Sequence, residues 1–242
     1  MTTLLRVENV SKSFGSFKVT DDLSFQLEQG EALGILGPNG AGKTTMFNLV
    51  SGDLRADTGR IVLEDSDITR LPAHRRCRLG IGRSYQIAQP FGGMTVFENL
   101  LVAATFGAGG AGQKANDLCM EILARTGLLD KVNRLAGALT LLDRKRLELA
   151  RALATQPKIL LLDEIAGGLT EQEALQLIDM VNDIRKQGVS IIWIEHVVHA
   201  LMAVATRLLV INFGQKLAEG DPQTVMNSPE VKRVYMGMEV QA

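Results

Sequence analysis

The stretch that decides the fold is ALGILGPNGAGKTTMFNLV, residues 32–50. It opens with five apolar or small residues, Ala32-Leu33-Gly34-Ile35-Leu36, and runs directly into Gly37-Pro38-Asn39-Gly40-Ala41-Gly42-Lys43-Thr44-Thr45. This order predicts a buried strand, a glycine-rich loop and a helix. The spacing G-x-x-x-x-G-K-[ST] is typical of loops whose backbone N–H groups surround a phosphate chain, so all nine residues of the loop are candidate ligands.

Two side chains of this loop have specific chemistry. Lys43 is placed to contact the β- and γ-phosphates of a nucleotide, and the Thr44 hydroxyl is placed to ligate Mg²⁺. Both lie at the start of a predicted helix, whose dipole favours anions. A glycine turn with a solvated lysine is the alternative, which the flanking strand and helix disfavour. The sequence therefore predicts a nucleoside triphosphate site.

The composition limits the possible classes of protein. With 242 residues, 46% of them hydrophobic, the chain can bury a core as one domain, with or without a subdomain. A formal net charge of -1 argues against binding nucleic acid or anionic lipid through overall charge, although a local basic patch stays possible. Cys77 and Cys119 lack metal-ligand spacing and are expected to be free thiols in a reducing compartment. No long apolar run or leader pattern is found, so any membrane role is expected to come through a partner.

An N-terminal hairpin is predicted from two strands, residues 4–10 and 19–27, which should pair antiparallel. Phe14 falls at the turn between them. Its ring could form a platform for a nucleotide base, or it could simply pack in the hairpin. The residues alone do not decide between these two interpretations.

Two carboxylates follow a second apolar run, Ile159-Leu160-Leu161-Leu162. Asp163 and Glu164 would stand at the carboxyl end of a parallel strand, where such sheets present ligands. Asp163 could hold Mg²⁺ through water, and Glu164 could orient or deprotonate an attacking water. Burying two unpaired carboxylates for structural reasons would be costly, which favours a site.

Two more predicted strands end in polar residues. A strand predicted over residues 81–86 ends in Gln86, and a strand predicted over residues 189–194 is followed by Glu195 and His196. His196 could contact the γ-phosphate or could be an ordinary structural histidine. The five arginines of residues 70–83 are predicted to form the solvated face of a basic helix rather than a phosphate or nucleic-acid contact.

The middle of the chain is predicted to be helical. Thr95-x-x-Glu98 and Thr170-x-x-Glu173 are capping-box patterns, and a further helix should begin with Asp143 as its N-cap. We therefore expect a helical subdomain at 88–155, inserted into a core made of 1–87 and 156–242.

Taken in order, the glycine loop, Gln86, the strand at 159–164 and His196 resemble the ATP-binding subunit of an ABC transporter. The resemblance covers about residues 4–238. It implies an α/β fold with a P-loop NTPase core and a mainly parallel sheet, an N-terminal antiparallel β subdomain and a helical insertion. It also implies an ATPase that uses ATP and Mg²⁺ and is coupled to transmembrane permease subunits.

The resemblance also implies roles for single residues. Phe14 would stack on adenine, and Thr140 would contact the nucleotide held by a partner subunit. Asp163, Thr44 and Gln86 would serve the metal, with Gln86 also sensing the permease. The catalytic residues would be Glu164, His196, Lys43 and Gln86.

Within the family the chain looks most like the ATPases of branched-chain amino-acid importers. This likeness implies a peripheral subunit at the cytoplasmic face of the bacterial inner membrane, served indirectly by a periplasmic or extracellular binding protein. The segments that carry the likeness are Met94-Thr95-Val96-x-Glu98-Asn99-Leu100-Leu101, Ile194-Glu195-His196, Ala218-Glu219-Gly220-x-Pro222 and Pro229-Glu230-Val231-x-x-x-Tyr235-Met236-Gly237.

The family's signature motif, LSGGQ, is altered here to Leu139-Thr140-Leu141-Leu142-Asp143. Thr140 keeps a hydroxyl, but both glycines and the glutamine of the motif are replaced. Leu142 is expected to restrict close approach of a phosphate, and Asp143 to bring like charge towards it. We therefore expect a second, non-identical ATPase subunit, with a homodimer as the alternative.

The rival function is a soluble ABC ATPase that acts on nucleic acid or the ribosome; such proteins usually have two fused cassettes or a coiled-coil insertion.

Overall fold

A computed structural model describes residues 2–236. The described chain forms two compact units: one takes in the residues before His74 and after Val189, and the other is His74–Val189. Within these described residues, no helix combines the length and apolar character needed to cross a bilayer. The predicted subdomain at 88–155 falls inside the second unit, and its bounds stay a prediction. Gly237 of the tail motif lies outside the described residues.

Strands and helices alternate along much of the described chain. Its first part contains β1 (Thr3–Phe14), β2 (Phe17–Glu28), β3 (Ala32–Leu36), α1 (Lys43–Ser51), β4 (Thr58–Leu63) and β5 (Ser66–Asp67). Next come α2 (Ala73–Arg78), β6 (Ile81–Arg83), α3 (Val96–Phe106), α4 (Gly112–Arg125), α5 (Leu141–Ala154), β7 (Ile159–Asp163) and α6 (Glu171–Lys186). The last part contains β8 (Ser190–Ile194), α7 (Val198–Val204), β9 (Arg207–Asn212), β10 (Gln215–Gly220), α8 (Pro222–Asn227) and α9 (Pro229–Met236).

The first unit contains an antiparallel sheet of order β2-β1-β4-β5. The predicted hairpin is confirmed, with Val7 opposite Phe25. β1 is longer than predicted, because its ladder with β2 continues past several irregularities to the pair Phe14 and Phe17. The alternation of apolar and polar residues is interrupted at such bulges, so the sequence pattern predicted a strand that ends at Val10.

The same unit holds the strand that leads to the glycine loop. β3 pairs in parallel with β8 on one side and with β9 on the other, and all five of its residues are buried. A strand covered in this way must be a continuous apolar run, which explains the sequence of residues 32–36. The loop therefore begins at the carboxyl end of a central parallel strand.

The second unit joins two parallel strands to a helical layer. β6 pairs with β7, placing Gly82 beside Leu160. Helices α3, α4 and α5 pack against one another through buried apolar side chains. Both predicted capping boxes are present, at the starts of α3 and α6.

We expect Thr95→Ala to lower the free energy of unfolding by about 1 kcal/mol, because the first turn of α3 loses its cap. Thr95 Oγ1 accepts from the Glu98 N–H, and the Thr95 N–H donates to the Glu98 carboxylate at 2.7 Å. The Thr95 hydroxyl also donates to this carboxylate at 2.9 Å, and the backbone bond and the hydroxyl bond both lower the pKa of Glu98. Of these two bonds, Thr95→Ala removes only the hydroxyl bond, whose stabilisation is present above the ordinary pKa of glutamate and is lost as the pH falls through the lowered value. Urea denaturation at pH 7 and pH 3 should show a smaller effect in acid; equal effects would contradict this account.

Candidate functional site

The glycine loop is shaped by its contacts with β2 and β9. A Cβ atom added to Gly37 would lie 2.2 Å from the carbonyl oxygen of Ile211, and one added to Gly42 would lie 2.5 Å from that of Val19. Gly42 also has φ +97°. Ala41 accepts a hydrogen bond from the Gly214 N–H at 3.0 Å, which ties the loop to the β9–β10 turn. Glycine is required here because side chains would collide with the neighbouring backbone.

Lys43 points back along this loop. Its Nζ donates to the carbonyl oxygens of Gly37 at 2.7 Å and Pro38 at 3.0 Å, and the residue is buried. Since α1 begins at Lys43, the N–H groups of its first turn, including that of Thr44, lack partners from the same helix. The ammonium group of Lys43, held by these two carbonyl oxygens, and the N-terminus of α1 together form an anion site that fits a phosphate chain with its metal.

Phe14 and His196 also belong to the first unit. The Phe14 ring is 49% exposed, and Lys12 Nζ lies 5.7 Å from its centre. His196 is exposed just past the end of β8, and its N–H donates to the buried carboxylate of Glu195 at 3.1 Å. The assignments of Phe14 to adenine and of His196 to the γ-phosphate stay predictions.

In the second unit, Asp163 ends β7 and is buried beside an arginine. Its Oδ2 lies 3.3 Å from Arg83 Nη2, and the Arg83 guanidinium lies 4.7 Å from the centre of the Tyr85 ring. The prediction of a solvated arginine face is therefore wrong for Arg83, and also for Arg76, which is 1% exposed. Arg83 was missed as a site residue. Arg83 ends a short strand, as Asp163 does, and this position in the sequence could have indicated a site residue.

Glu164 and Gln86 are in direct contact. Gln86 Nε2 donates to Glu164 Oε2 at 2.5 Å. The Glu164 backbone has φ +47°, a left-handed conformation that is uncommon for a residue other than glycine. Its carbonyl oxygen also accepts from Lys145 Nζ of α5 at 3.4 Å. The second unit therefore brings Gln86 into contact with Glu164, whose neighbour in the chain is Asp163.

The altered signature loop differs from expectation. α5 begins at Leu141 with Thr140 as its N-cap, so the prediction of Asp143 as the cap is wrong. Asp143 instead donates its N–H to Thr140 Oγ1, and its buried carboxylate accepts from Thr140 Oγ1 and lies 2.9 Å from Lys131 Nζ. Its charge is thus paired within the unit, which removes the reason to expect repulsion of a phosphate. Leu141 is 48% exposed at the helix start.

Comparison with known proteins gives the family. The family model described as ABC transporter matches residues 20–167, more than half of the chain. The chain belongs to the ABC transporter family. As an ABC ATPase it hydrolyses ATP, with Mg²⁺ as the metal, and subunits of this kind dimerise and work with transmembrane permeases.

Relatives of known name cover nearly the whole chain. The ABC ATPase is 37% identical to the lipopolysaccharide export system ATP-binding protein LptB of Haemophilus influenzae, over 97% of this chain and 98% of that protein. It is 36% identical to the high-affinity branched-chain amino acid transport ATP-binding protein LivG of Escherichia coli, with the same coverage. A solved ATP-binding cassette of an ABC transporter in its ADP conformation matches with a TM-score of 0.91 and 32% identity, over 98% of this chain and 100% of that one. These identities do not favour one transported substrate.

Proposed function

We propose that this chain is the ATP-hydrolysing subunit of an importer for branched-chain or related small amino acids. The likeness to LivG and the sequence segments at 94–101 and 194–196 support the proposal. The observation that carries the coupling of this ATPase to a permease is the contact of Gln86 with Glu164, since a residue on a surface segment thereby touches the proposed catalytic carboxylate.

The residues of the glycine loop, with Phe14, would bind the nucleotide. In the first unit, phosphate oxygens would be bound by the backbone N–H groups of residues 37–45 and by the Lys43 ammonium group. Thr44 would ligate the metal, and the Phe14 ring would stack on the adenine base. When bound, ATP with Mg²⁺ supplies the phosphoanhydride bond whose hydrolysis releases free energy.

The remaining residues would act on the attacking water. In the second unit, Asp163 and Gln86 serve the metal, and Glu164 orients the water and accepts its proton. His196 of the first unit is proposed to contact the γ-phosphate.

The segment around Gln86 is proposed to receive the permease. Ile87 is 70% exposed, and Phe91 is also exposed. The buried side chain of Asn99 fixes the far end of the segment, because its Oδ1 accepts from the Phe91 N–H at 2.9 Å and its Nδ2 donates to the Thr95 carbonyl. Apolar side chains on a fixed support can bind a helix of a membrane partner. This would hold the subunit at the cytoplasmic face of the bacterial inner membrane, with the external binding protein acting through the permease.

A second ATPase subunit, different from this one, is proposed to complete the site on Lys43. Thr140 keeps the hydroxyl of the signature motif, but that hydroxyl already caps α5. The exposed Leu141 and the half-buried Leu142 stand where the family has glycines. Bulky side chains hinder the approach of a backbone to phosphate, so two copies of this chain should close poorly over each other's ATP.

We expect the chain alone, carrying Glu164→Gln to prevent turnover, to stay monomeric when ATP is added. Adding Leu141→Gly and Leu142→Gly should allow an ATP-dependent dimer, because the phosphate can then approach the start of α5. Analytical ultracentrifugation measures this, with the exposed Leu135→Gly as the control. ATP-dependent homodimers of the chain with its natural loop, unchanged by Leu142→Gly, would contradict the proposal.

Purification of the tagged chain from its own membranes tests the function. An importer predicts a detergent-extracted complex with two hydrophobic subunits. Recovery with RNA or DNA instead would favour a soluble ABC ATPase that acts on nucleic acid or the ribosome. The likeness to LptB supports a second candidate, export of a lipid-linked polysaccharide, and lipopolysaccharide in the complex would favour it.

A further inference from the structure

The segment that carries Gln86 is held from both ends by one helix. It leaves β6 at Ser84, whose N–H donates to the Leu161 carbonyl at 2.9 Å, and it continues to Phe91. Two side chains of α5, Glu148 and Arg151, contact this segment. We call these two residues the α5 latch.

Glu148 holds the beginning of the segment. Its buried carboxylate accepts from the backbone N–H of Tyr85, the residue before Gln86. The same carboxylate lies 3.0 Å from Arg151 Nη1. Burial raises the pKa of Glu148, while the guanidinium and the Tyr85 N–H oppose that rise. A hydrogen bond from a backbone N–H to a carboxylate is among the stronger kinds in proteins.

Arg151 holds the end of the segment. Its Nη1 donates to the carbonyl oxygen of Gln89 at 3.2 Å, and its guanidinium lies 5.1 Å from the centre of the Phe91 ring. One ion pair on α5 therefore fixes the backbone before and after Gln86. The contacts with Gln89 and Phe91 combine a charge-assisted hydrogen bond with a cation–π interaction.

We propose that Glu148 and Arg151 are positioning residues that hold the Gln86 segment on α5, keep Gln86 in contact with Glu164, and transmit movement of the segment to the loop at Thr140. Transmission follows because α5 begins at that loop, and a helix moves as a stiff unit. The positioning part depends only on contacts within the second unit. The transmission part rests on the proposed function, in which a permease moves the segment.

A purely structural role is the alternative, because pairs three residues apart also stabilise helices. The chain offers a matched example in α6, where Asp183 and Lys186 form an exposed pair of the same spacing at 3.0 Å. Replacing Asp183 with Ala therefore removes a helix pair without touching the Gln86 segment. Asp183→Ala is the control for each measurement on the latch.

Hydrogen exchange of the Tyr85 amide in the full chain tests the latch directly. Glu148→Ala should raise the exchange rate about ten- to a hundredfold, since the lost bond is to a charged group. Glu148→Gln should retain most of the protection, because its amide oxygen still accepts. Glu148→Asp should lose the protection, because its shorter side chain cannot reach the Tyr85 N–H. If Glu148→Ala fails to fold, the difference in Tyr85 exchange between Glu148→Gln and Glu148→Asp still tests the latch. The control, Asp183→Ala, should exchange at the rate of the natural chain.

The charge-exchanged double variant, Glu148→Arg with Arg151→Glu, separates the two roles. It keeps an ion pair on α5 but places a cation against the Tyr85 N–H and an anion against the Gln89 carbonyl. The latch predicts fast exchange in this variant. Protection equal to that of the natural chain, or no change in Glu148→Ala, would overturn the proposal.

Turnover in the complete transporter gives the second readout. Glu148→Ala should lower kcat several-fold with KM for ATP unchanged, and should cause no further loss when Gln86 is already Ala. Additive losses would overturn the positioning role. The exchange experiment needs no permease, so it tests the latch independently of the proposed function. Fast Tyr85 exchange in Glu148→Ala, in a chain found to power a transporter other than an amino-acid importer, would support the latch and contradict the proposed function.

Discussion

Glu164→Gln should abolish most ATP turnover while leaving ATP binding intact. The glutamine oxygen can still accept from Gln86, so the local arrangement is kept, but the side chain can no longer take a proton from water. General-base catalysis contributes about 10²–10⁴-fold, so kcat should fall by that factor. Steady-state ATPase assays on the complete transporter and equilibrium binding of ATP measure the two effects.

A matched carboxylate provides the control for this experiment. Glu171 is exposed in the first turn of α6, seven residues further along the chain. Glu171→Gln should leave kcat within about twofold, because surface substitutions of this kind have small effects. Turnover retained in Glu164→Gln would remove Glu164 from its proposed role.

Lys43→Ala should weaken ATP binding by about ten- to a hundredfold, because charge-assisted hydrogen bonds to phosphate are lost. The loop itself should also loosen, since the carbonyl oxygens of Gly37 and Pro38 both lose the Lys43 ammonium. Titration calorimetry with ATP measures the affinity.

Lys216→Ala is the control for Lys43→Ala. Lys216 is an exposed lysine of β10 in the same unit, paired with Glu219. Its removal should leave ATP affinity unchanged, because exposed ion pairs contribute little. Equal ATP affinity in Lys43→Ala and the natural chain would contradict the phosphate role of the loop.

The features that the sequence predicted correctly are those with local causes. The strand over residues 32–36 is recognisable because a doubly covered parallel strand must be apolar throughout. The capping boxes at Thr95 and Thr170 are likewise encoded within four residues. The family followed from the order of such local motifs.

The start of α5 shows why other features were not predictable. Thr140 and Asp143 are both good N-cap residues, three positions apart, and local preference does not choose between them. The choice depends on Lys131, which pairs with the Asp143 carboxylate inside the fold. That partner lies 12 residues away, beyond the reach of a local pattern.

Arg83 shows the same limit at longer range. Its partner Asp163 is 80 positions further along the chain, and only the pairing of β6 with β7 brings them together. In the sequence Arg83 is one of five arginines in a basic stretch, which normally indicates a solvated surface. The α5 latch is invisible for the same reason, because its contacts join Glu148 and Arg151 to backbone groups about sixty residues earlier in the chain.

The most direct test of the importer is ATP-driven uptake by the purified complex in lipid vesicles. With ATP on the side of this subunit and the binding protein on the other, labelled leucine or a related small amino acid should accumulate on the ATP side. Glu164→Gln in this subunit should abolish the accumulation. A complex that hydrolyses ATP but moves no amino acid, or that carries lipopolysaccharide away from the ATP side, would contradict the account.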